Sequence, residues 1–259
     1  MRRTFAAALV MGVLAASCGG ASEHRLVLIA YDSFTPPADA FEPFTDATGV
    51  DVVLAVGGDA GELVAKAALT AGKPEGDVLW GVDNSLLSRA LDARVFDPYV
   101  SNAHSSIPEL VGTAADTVTP VDFGDVCVNY DIAALRERGI DPPRSFEDLI
   151  DPAYRNLLAV PSAVSSSPGL AFLLATIARF GDPGWVDYWK SLIANGTQIV
   201  STWTDAYYSS FTRYGGDRPL VLSYASSPPA EVIFADPPLP AGSPAPTDRK
   251  STRLNSSHA

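Results

Sequence analysis

Short apolar runs, each followed by the start of a helix, recur along the first hundred residues and constrain the fold more than any other feature. The runs are residues 26–30, 52–56 and 77–82. Continuous apolar segments of this length are typical of strands that are buried in a parallel sheet. Glycines at 49 and 72 mark the expected ends of the intervening helices, and Asp83 with Asn84 is expected to cap the helix after the third strand. Three strand–helix units in succession predict an α/β fold with right-handed crossovers.

The alternation of predicted strands and helices stops near residue 117 and then resumes. Extended segments at 118–121 and 125–130, separated by Gly124, predict a crossing into a second unit. Ser145 and Asp148 have the spacing of a capping box. Further strands are predicted at 157–160, 197–202 and 220–224. We therefore assign residues 18–124 to an N-terminal α/β lobe and residues 125–240 to a second α/β lobe.

The N-terminus has the form of an export signal. Arg2 and Arg3 precede an apolar stretch, residues 5–16, that is too short to span a bilayer. Small residues then precede Cys18, as in the lipobox of bacterial lipoproteins. We predict that residues 1–17 are a signal peptide and that Cys18 carries lipid, which would tether an exported protein to the membrane. The alternative is an ordinary signal peptide in which Cys18 is incidental.

The C-terminal end lacks the pattern of a folded core. Residues 237–246 are rich in Pro, Ala and Gly, and the stretch from Asp248 onward resembles translated adapter or vector sequence. We expect residues 241–259 to be a Pro-rich end followed by an artefactual tail, and the second lobe to be truncated at its C-terminus. The alternative is a genuine disordered terminus.

The excess of acidic over basic residues indicates which classes of partner the chain can bind. The chain carries 30 acidic and 18 basic residues, for a formal net charge of −12. Nucleic acid is excluded as a partner, because phosphate binding needs an excess of Lys and Arg. A cationic solute is favoured.

The side chains that catalysis and metal binding require are scarce. The three histidines, His24, His104 and His258, are far apart in sequence, which predicts neither a metal site nor a catalytic triad. Nucleotide-binding loops and dinucleotide fingerprints are absent. Cys127 lies in an alternating strand pattern and is expected to be a buried small hydrophobe. We predict a protein that is not an enzyme and has no cofactor, with a carboxylate-dependent hydrolase as a remote alternative.

Aromatic, acidic and hydroxyl side chains follow the predicted strands. Ligands of open α/β sheets bind beyond the carboxyl ends of strands. Tyr and Trp faces attract a flat cation, carboxylates pair with its charge, and a serine-rich helix N-terminus donates to a hydroxyl or phosphate. The candidate site residues are Tyr31, Asp32, Asp59, Ala60, Ser166, Ser167, Trp203, Tyr224, Ala225, Ser226 and Ser227.

Several of these segments resemble motifs of the thiamine-binding proteins, the solute receptors of thiamine ABC importers. The stretches are residues 28–34, 81–87, 166–170, 203–207 and 222–228. The most specific are Tyr31-Asp32-Ser33-Phe34 and Ser223-Tyr224-Ala225-Ser226-Ser227-Pro228. The resemblance runs from about residue 26 to residue 234.

The resemblance implies a two-lobed, class II periplasmic-binding fold that grips thiamine or its phosphates between the lobes. Its partners would be an ABC permease and ATPase. The candidate residues then match family contact positions, with Tyr31 and Asp32 lining the cleft.

Two departures from the family, and one rival function, stand beside this interpretation. Thr35, followed by two prolines, occupies a region where the family carries a Trp, and the family's C-terminal portion is missing. The rival is a ferric iron-binding protein of the same fold, because the pair Tyr207 and Tyr208 resembles its ligands. Trp203 as simple core and Ser166 as a plain helix cap are the structural alternatives.

Overall fold

The computed structural model describes residues 24–102, 116–240 and 242–250. The predicted signal peptide, Cys18, His104 and residues 251–259 lie outside these described residues. Within the described part of the chain, no helix is both long enough and apolar enough to cross a bilayer.

The first lobe contains a three-stranded parallel sheet. Its strands are β1 (Arg25–Ala30), β2 (Asp51–Val56) and β3 (Val78–Leu79), and their order is β2-β1-β3. The helices that follow the strands are α1 (Glu42–Thr48), α2 (Ala60–Leu69) and α3 (Leu87–Asp92). The predicted parallel strand–helix alternation is confirmed, and Gly49 ends α1 with φ at 70°.

Some boundaries predicted in the first lobe are wrong. β3 covers two residues rather than six, and it ends just before Gly81, where φ is +110° and an added Cβ would overlap the Tyr31 ring. α2 ends at Leu69, short of Gly72. Asp83 closes a turn rather than capping α3, since its Oδ1 accepts from the Ser85 amide at 2.7 Å.

The second lobe contains a five-stranded mixed sheet. Its strands are β4 (Val126–Asp131), β5 (Leu158–Pro161), β6 (Gln198–Val200), β7 (Leu220–Tyr224) and β8 (Thr247–Lys250). The order is β6-β5-β7-β4-β8, in which β5 runs parallel to β6 and β7 while β4 runs antiparallel to β7 and β8. The predicted extended segment 118–121 forms no strand. The sheet continues past residue 240, because β8 adds an edge strand; the origin assigned to the tail stays a prediction.

Helices cover this sheet and form the larger core. They are α4 (Ile132–Arg138), α5 (Ser167–Phe180), α6 (Gly184–Ala194), a π-helix (Asp205–Ser210) and α7 (Ser227–Ile233). The predicted capping box is confirmed, since the Asp148 amide donates to Ser145 Oγ and the Ser145 amide donates to Asp148 Oδ2. Cys127 is a buried core residue with 3% exposure, and burial raises its pKa.

The two lobes contact each other through their helix N-termini. Ala60 and Val64 of α2 pack with Leu86 and Ala90 in one buried cluster. Leu170 of α5, from the second lobe, packs against this cluster. The first turn of α2 is therefore held beside the first turn of α5, which brings together the ends of strands from different lobes.

Candidate functional site

Several of the predicted site residues lie where the two lobes face each other. Tyr224 ends β7 of the second lobe and is partly buried. Burial raises its pKa first, and the nearby charges of Asp83, Asp59 and Asp122, with Tyr31, raise it further. All four neighbours come from outside the second sheet, so Tyr224 faces the end of the first lobe.

Asp59 joins the two lobes directly. Its Oδ1 accepts from the Ala60 amide at 2.7 Å and caps α2. Its Oδ2 accepts from the backbone amide of Trp203, in the second lobe, at 2.8 Å. A second bond crosses beside it, from the Gly61 amide to the Ser165 carbonyl oxygen at 2.7 Å. Asp59 is only 5% exposed, and both of its oxygens are occupied by backbone donors.

The indole of Trp203 is held by a stacked ring and by a hydrogen bond from its nitrogen. Its ring stacks on Tyr207 with centroids 5.0 Å apart and planes 17° apart. Its Nε1 donates to Ser223 Oγ at 2.8 Å, and Ser223 Oγ lies 2.8 Å from Ser227 Oγ. Because Tyr207 covers one indole face, only the opposite face remains for a flat ligand. Trp203 is thus neither fully buried core nor free surface.

Trp203 and Tyr224 form an aromatic corner. Their ring centroids are 6.4 Å apart and their planes are inclined by 51°. Tyr31, from the first lobe, has a pKa raised chiefly by burial and stays a neutral hydroxyl. Thr35 follows Phe34 in the region where the resemblance predicts a Trp, and Trp80 packs against the Phe34 ring with centroids 4.9 Å apart.

Three polar groups at this junction have no hydrogen-bond partner. They are Asp32 Oδ1, Ser166 Oγ and Thr204 Oγ1. Burial, and then the charge of Asp59, raise the pKa of Asp32; the adjacent Thr204 hydroxyl lowers it without meeting the geometry of a hydrogen bond. Ser166 is 2% exposed and stands at the N-cap position of α5, yet its hydroxyl caps nothing. Unpaired buried polar atoms are costly, and a polar ligand at this junction could supply the missing partners.

The remaining predicted residues lie around the edge of this junction between the lobes. Ala60 is buried in α2, and Ser167 is partly exposed in the first turn of α5. Ser226 is exposed at the N-cap position of α7, and its side chain makes no capping hydrogen bond. The backbone of Ala225 is held by Asp125, whose carbonyl accepts its amide, and by the Arg249 guanidinium, which donates to its carbonyl.

Sequence reasoning missed the residues that support the site. Ser223 belongs to the motif at residues 223–228 but lies inside a strand pattern, so it is not among the candidate site residues. Gly61 lies inside a helix pattern and does not stand out in the sequence. Thr204 directly follows Trp203 in the stretch 203–207, and that position is the signal that could have identified it. Asp83 was predicted only as a helix cap.

A cavity of about 600 Å³ opens beside Trp203. Tyr207, Tyr208 and Glu231 help to line it. The Tyr207 hydroxyl donates to Glu231 Oε1 at 2.5 Å, and Thr247 Oγ1 donates to Glu231 Oε2 at 2.9 Å. Burial and the Glu231 carboxylate both raise the Tyr207 pKa. Tyr207 is therefore a protonated donor that is committed to Glu231.

The ferric alternative needs deprotonated Tyr207 and Tyr208 with further ligands beside them. Within residues 24–102, 116–240 and 242–250, no three His, Cys, Asp or Glu side chains are grouped so that they could hold a metal ion. Phenolate ligation would require Tyr207 and Tyr208 to lose protons, and burial raises the pKa of each.

Comparison with known proteins places this geometry in a family. The sequence profile described as "Bacterial extracellular solute-binding protein" matches residues 74–227, more than half of the chain. The chain belongs to this solute-binding family. The match spans part of the first lobe and most of the second, including Ser166, Trp203 and Ser227. The family consists of binding proteins rather than enzymes.

Named relatives and solved structures agree with this family assignment. The chain is 28% identical, over 237 residues, to a "Thiamine-binding periplasmic protein" of Brucella abortus; the match covers 89% of this chain but 66% of that relative. The solved structure of a "Periplasmic thiamin binding protein" has the same two-lobed fold, with a TM-score of 0.71, 23% identity, and coverage of 87% of this chain and 67% of its own. Iron-bound HitA from Pseudomonas aeruginosa shares the fold at a TM-score of 0.62 and 20% identity, covering 77% and 62%.

Proposed function

We propose that this solute-binding protein captures thiamine, or a thiamine phosphate, in a cleft between its two lobes. The observation that carries the proposal is the aromatic corner of Trp203 and Tyr224 beside the unpartnered carboxylate oxygen of Asp32. Thiamine carries two flat aromatic rings, one of which is a cation, and aromatic faces together with a nearby carboxylate are suited to bind such a ligand. Similarity to thiamine-binding relatives supports the same ligand.

Each part of the proposed site has a distinct role. Trp203 and Tyr224 stack on the rings, and Tyr31 closes the cleft from the first lobe. Asp32 pairs with the ligand charge or accepts from its exocyclic amine. Ser166, at the N-terminus of α5, donates to a hydroxyl or phosphate, because the first helical amides carry partial positive charge. The proposed contact set is completed by Asp59, Ala60, Ser167, Ala225, Ser226 and Ser227.

The proposed setting is an ABC importer. The protein would deliver its ligand outside the cytoplasmic membrane to a permease and its ATPase. Export through the signal peptide and tethering through lipid on Cys18 belong to the same proposal. If Cys18 carries lipid, Cys18→Ala releases the protein from membranes, and labelled fatty acid is incorporated into the wild type alone. A wild-type chain that takes up no label refutes the anchor.

Calorimetry tests the ligand. The purified chain is titrated with thiamine, thiamine monophosphate, thiamine diphosphate and Fe³⁺. Heat from a thiamine compound, with none from iron, is the expected result. A chain that binds Fe³⁺ and ignores all three thiamine compounds would overturn the proposal while leaving the fold intact.

Ferric iron remains the second candidate, because Tyr207 and Tyr208 adjoin one cavity. In that case both phenolates would bind the metal and give a coloured complex. The commitment of the Tyr207 hydroxyl to Glu231 favours thiamine. Conversion of both tyrosines to Phe distinguishes the two functions, since it would abolish iron binding and leave the thiamine contacts in place.

A further inference from the structure

We propose that Asp59 is a clasp between the lobes that positions Trp203, and that residue 61 is Gly because the clasp needs close backbone contact. The inference rests on the proposed function only for the identity of the ligand. It assigns Asp59 a positioning role in addition to any contact with the ligand.

The two oxygens of Asp59 serve helical segments from different lobes. Oδ1 caps α2, while Oδ2 accepts from the Trp203 amide, 144 residues away in sequence. Trp203 stands in the first helical turn before the π-helix, where backbone amides have no acceptor within the helix. A carboxylate that accepts from backbone amides makes strong hydrogen bonds, and burial of Asp59 shelters both from water.

Gly61 allows this contact to form. Its amide donates to the Ser165 carbonyl oxygen, and an added Cβ would lie 2.7 Å from that oxygen and 2.8 Å from the Val164 carbonyl oxygen. These are backbone atoms, so they cannot rotate away. Gly61 is the second residue of α2, and the close approach of the second lobe explains why this position carries no side chain.

The clasp affects ligand dissociation because it fixes the position of Trp203. The indole is tied to the second lobe by Ser223 and Tyr207, and to the first lobe through its own backbone amide. Breaking the Asp59 bond separates Trp203 from the side of the site that carries Tyr31 and Asp32. A ligand held between these groups leaves faster once the clasp is broken, so the effect falls mainly on the dissociation rate.

Two variants break the clasp in different ways, and one serves as a matched control. Gly61→Ala obstructs the backbone contact. Asp59→Asn leaves one acceptor oxygen for two backbone amides; because Asn is a good N-cap residue, we expect that oxygen to keep the cap on α2 and the NH₂ group to face the Trp203 amide, where it cannot accept. The control is Gly57→Ala, in the loop that leads into α2, where an added Cβ meets no atom within 4 Å.

Hydrogen exchange of the Trp203 backbone amide tests the clasp in the ligand-free protein. Selective ¹⁵N labelling of the chain's four tryptophans resolves the Trp203 backbone amide. We expect this amide to exchange at least about tenfold faster in Gly61→Ala and Asp59→Asn, as for the loss of one such hydrogen bond, and to stay protected in Gly57→Ala. The ligand-free melting temperature of Gly61→Ala should fall as well, because the added Cβ displaces a buried backbone contact; the site-specific exchange at Trp203, and not the melting temperature, therefore reports on the Asp59 contact.

The dissociation rate of thiamine tests the clasp in the ligand-bound protein. Both clasp variants should release thiamine about tenfold faster than wild type and Gly57→Ala, with little change in the association rate. Unchanged Trp203 exchange in both clasp variants would overturn the proposal, as would unchanged release of thiamine. A wild-type chain that does not bind thiamine refutes the proposed function, and the exchange measurement then decides the clasp by itself. If Gly61→Ala folds poorly, Asp59→Asn, in which α2 is still capped, tests the clasp by the same two measurements.

Discussion

Removal of the Trp203 indole tests the proposed site most directly. In Trp203→Ala the backbone amide still donates to Asp59, so the contact between the lobes remains. The substitution removes the ring that stacks on Tyr207 and leaves Ser223 Oγ with Ser227 as its neighbour. The perturbation is therefore confined to one wall of the site.

The expected magnitudes follow from these contacts. Loss of one stacking aromatic and its cation–π attraction weakens thiamine binding by about 1–3 kcal/mol, or roughly ten- to hundredfold in affinity. A fully buried Trp costs about 3–5 kcal/mol when truncated, and Trp203 is only partly buried. We expect a loss of about 2 kcal/mol in the free energy of unfolding, with the fold preserved.

Calorimetry gives the affinity and urea denaturation gives the stability. Trp185→Ala is the matched control, because Trp185 is also partly buried but lies in α6, away from the site. That control should lose stability and keep its affinity for thiamine. Equal affinity of Trp203→Ala and wild type would refute the assignment of Trp203 to the ligand.

Three further substitutions separate ligand contacts from structural ones. Tyr207→Phe keeps the ring on Trp203 but removes a donor from buried Glu231; urea denaturation should show a loss of about 1–3 kcal/mol, and calorimetry an unchanged affinity for thiamine. Ser166→Ala removes an unpaired hydroxyl, so the ligand-free melting temperature should hold while affinity for thiamine falls by roughly three- to tenfold. Burial and Asp59 raise the pKa of Asp32, so its ionised form destabilises the ligand-free fold. Asp32→Asn should therefore raise the melting temperature at neutral pH, and weaken thiamine binding.

The pH dependence gives the Asp32 prediction its sign. The gain from Asp32→Asn is full above the raised pKa of Asp32, and it disappears as the pH falls toward the ordinary value of 3.8, because the wild-type carboxyl then becomes neutral as well. A gain that persists well below that value would contradict the electrostatic cause. An unchanged affinity for thiamine in Ser166→Ala would contradict a role of this hydroxyl in binding. A large loss of affinity in Tyr207→Phe would contradict a purely structural role of the Tyr207 hydroxyl.

Local patterns in the sequence determined the elements and the strand-end positions. The apolar runs predicted β1, β2 and β7, and the capping box at Ser145 formed as expected. These features depend on hydrogen bonds that close within a few residues, or on the alternation of buried strands and covering helices. The same logic placed Tyr31 and Asp59 at one edge of the first sheet and Tyr224 at the end of a strand in the second sheet, since carboxyl ends of parallel strands share an edge.

Only the tertiary structure decided how these residues work together. The bond from Trp203 to Asp59 joins segments 144 residues apart, and no local pattern encodes it. The need for Gly61 arises from Ser165 of the other lobe, and the covered face of Trp203 is set by Tyr207. Such contacts depend on the packing of two separately patterned lobes, and that packing is fixed by shape and burial over the whole interface rather than by the residues nearby in the chain.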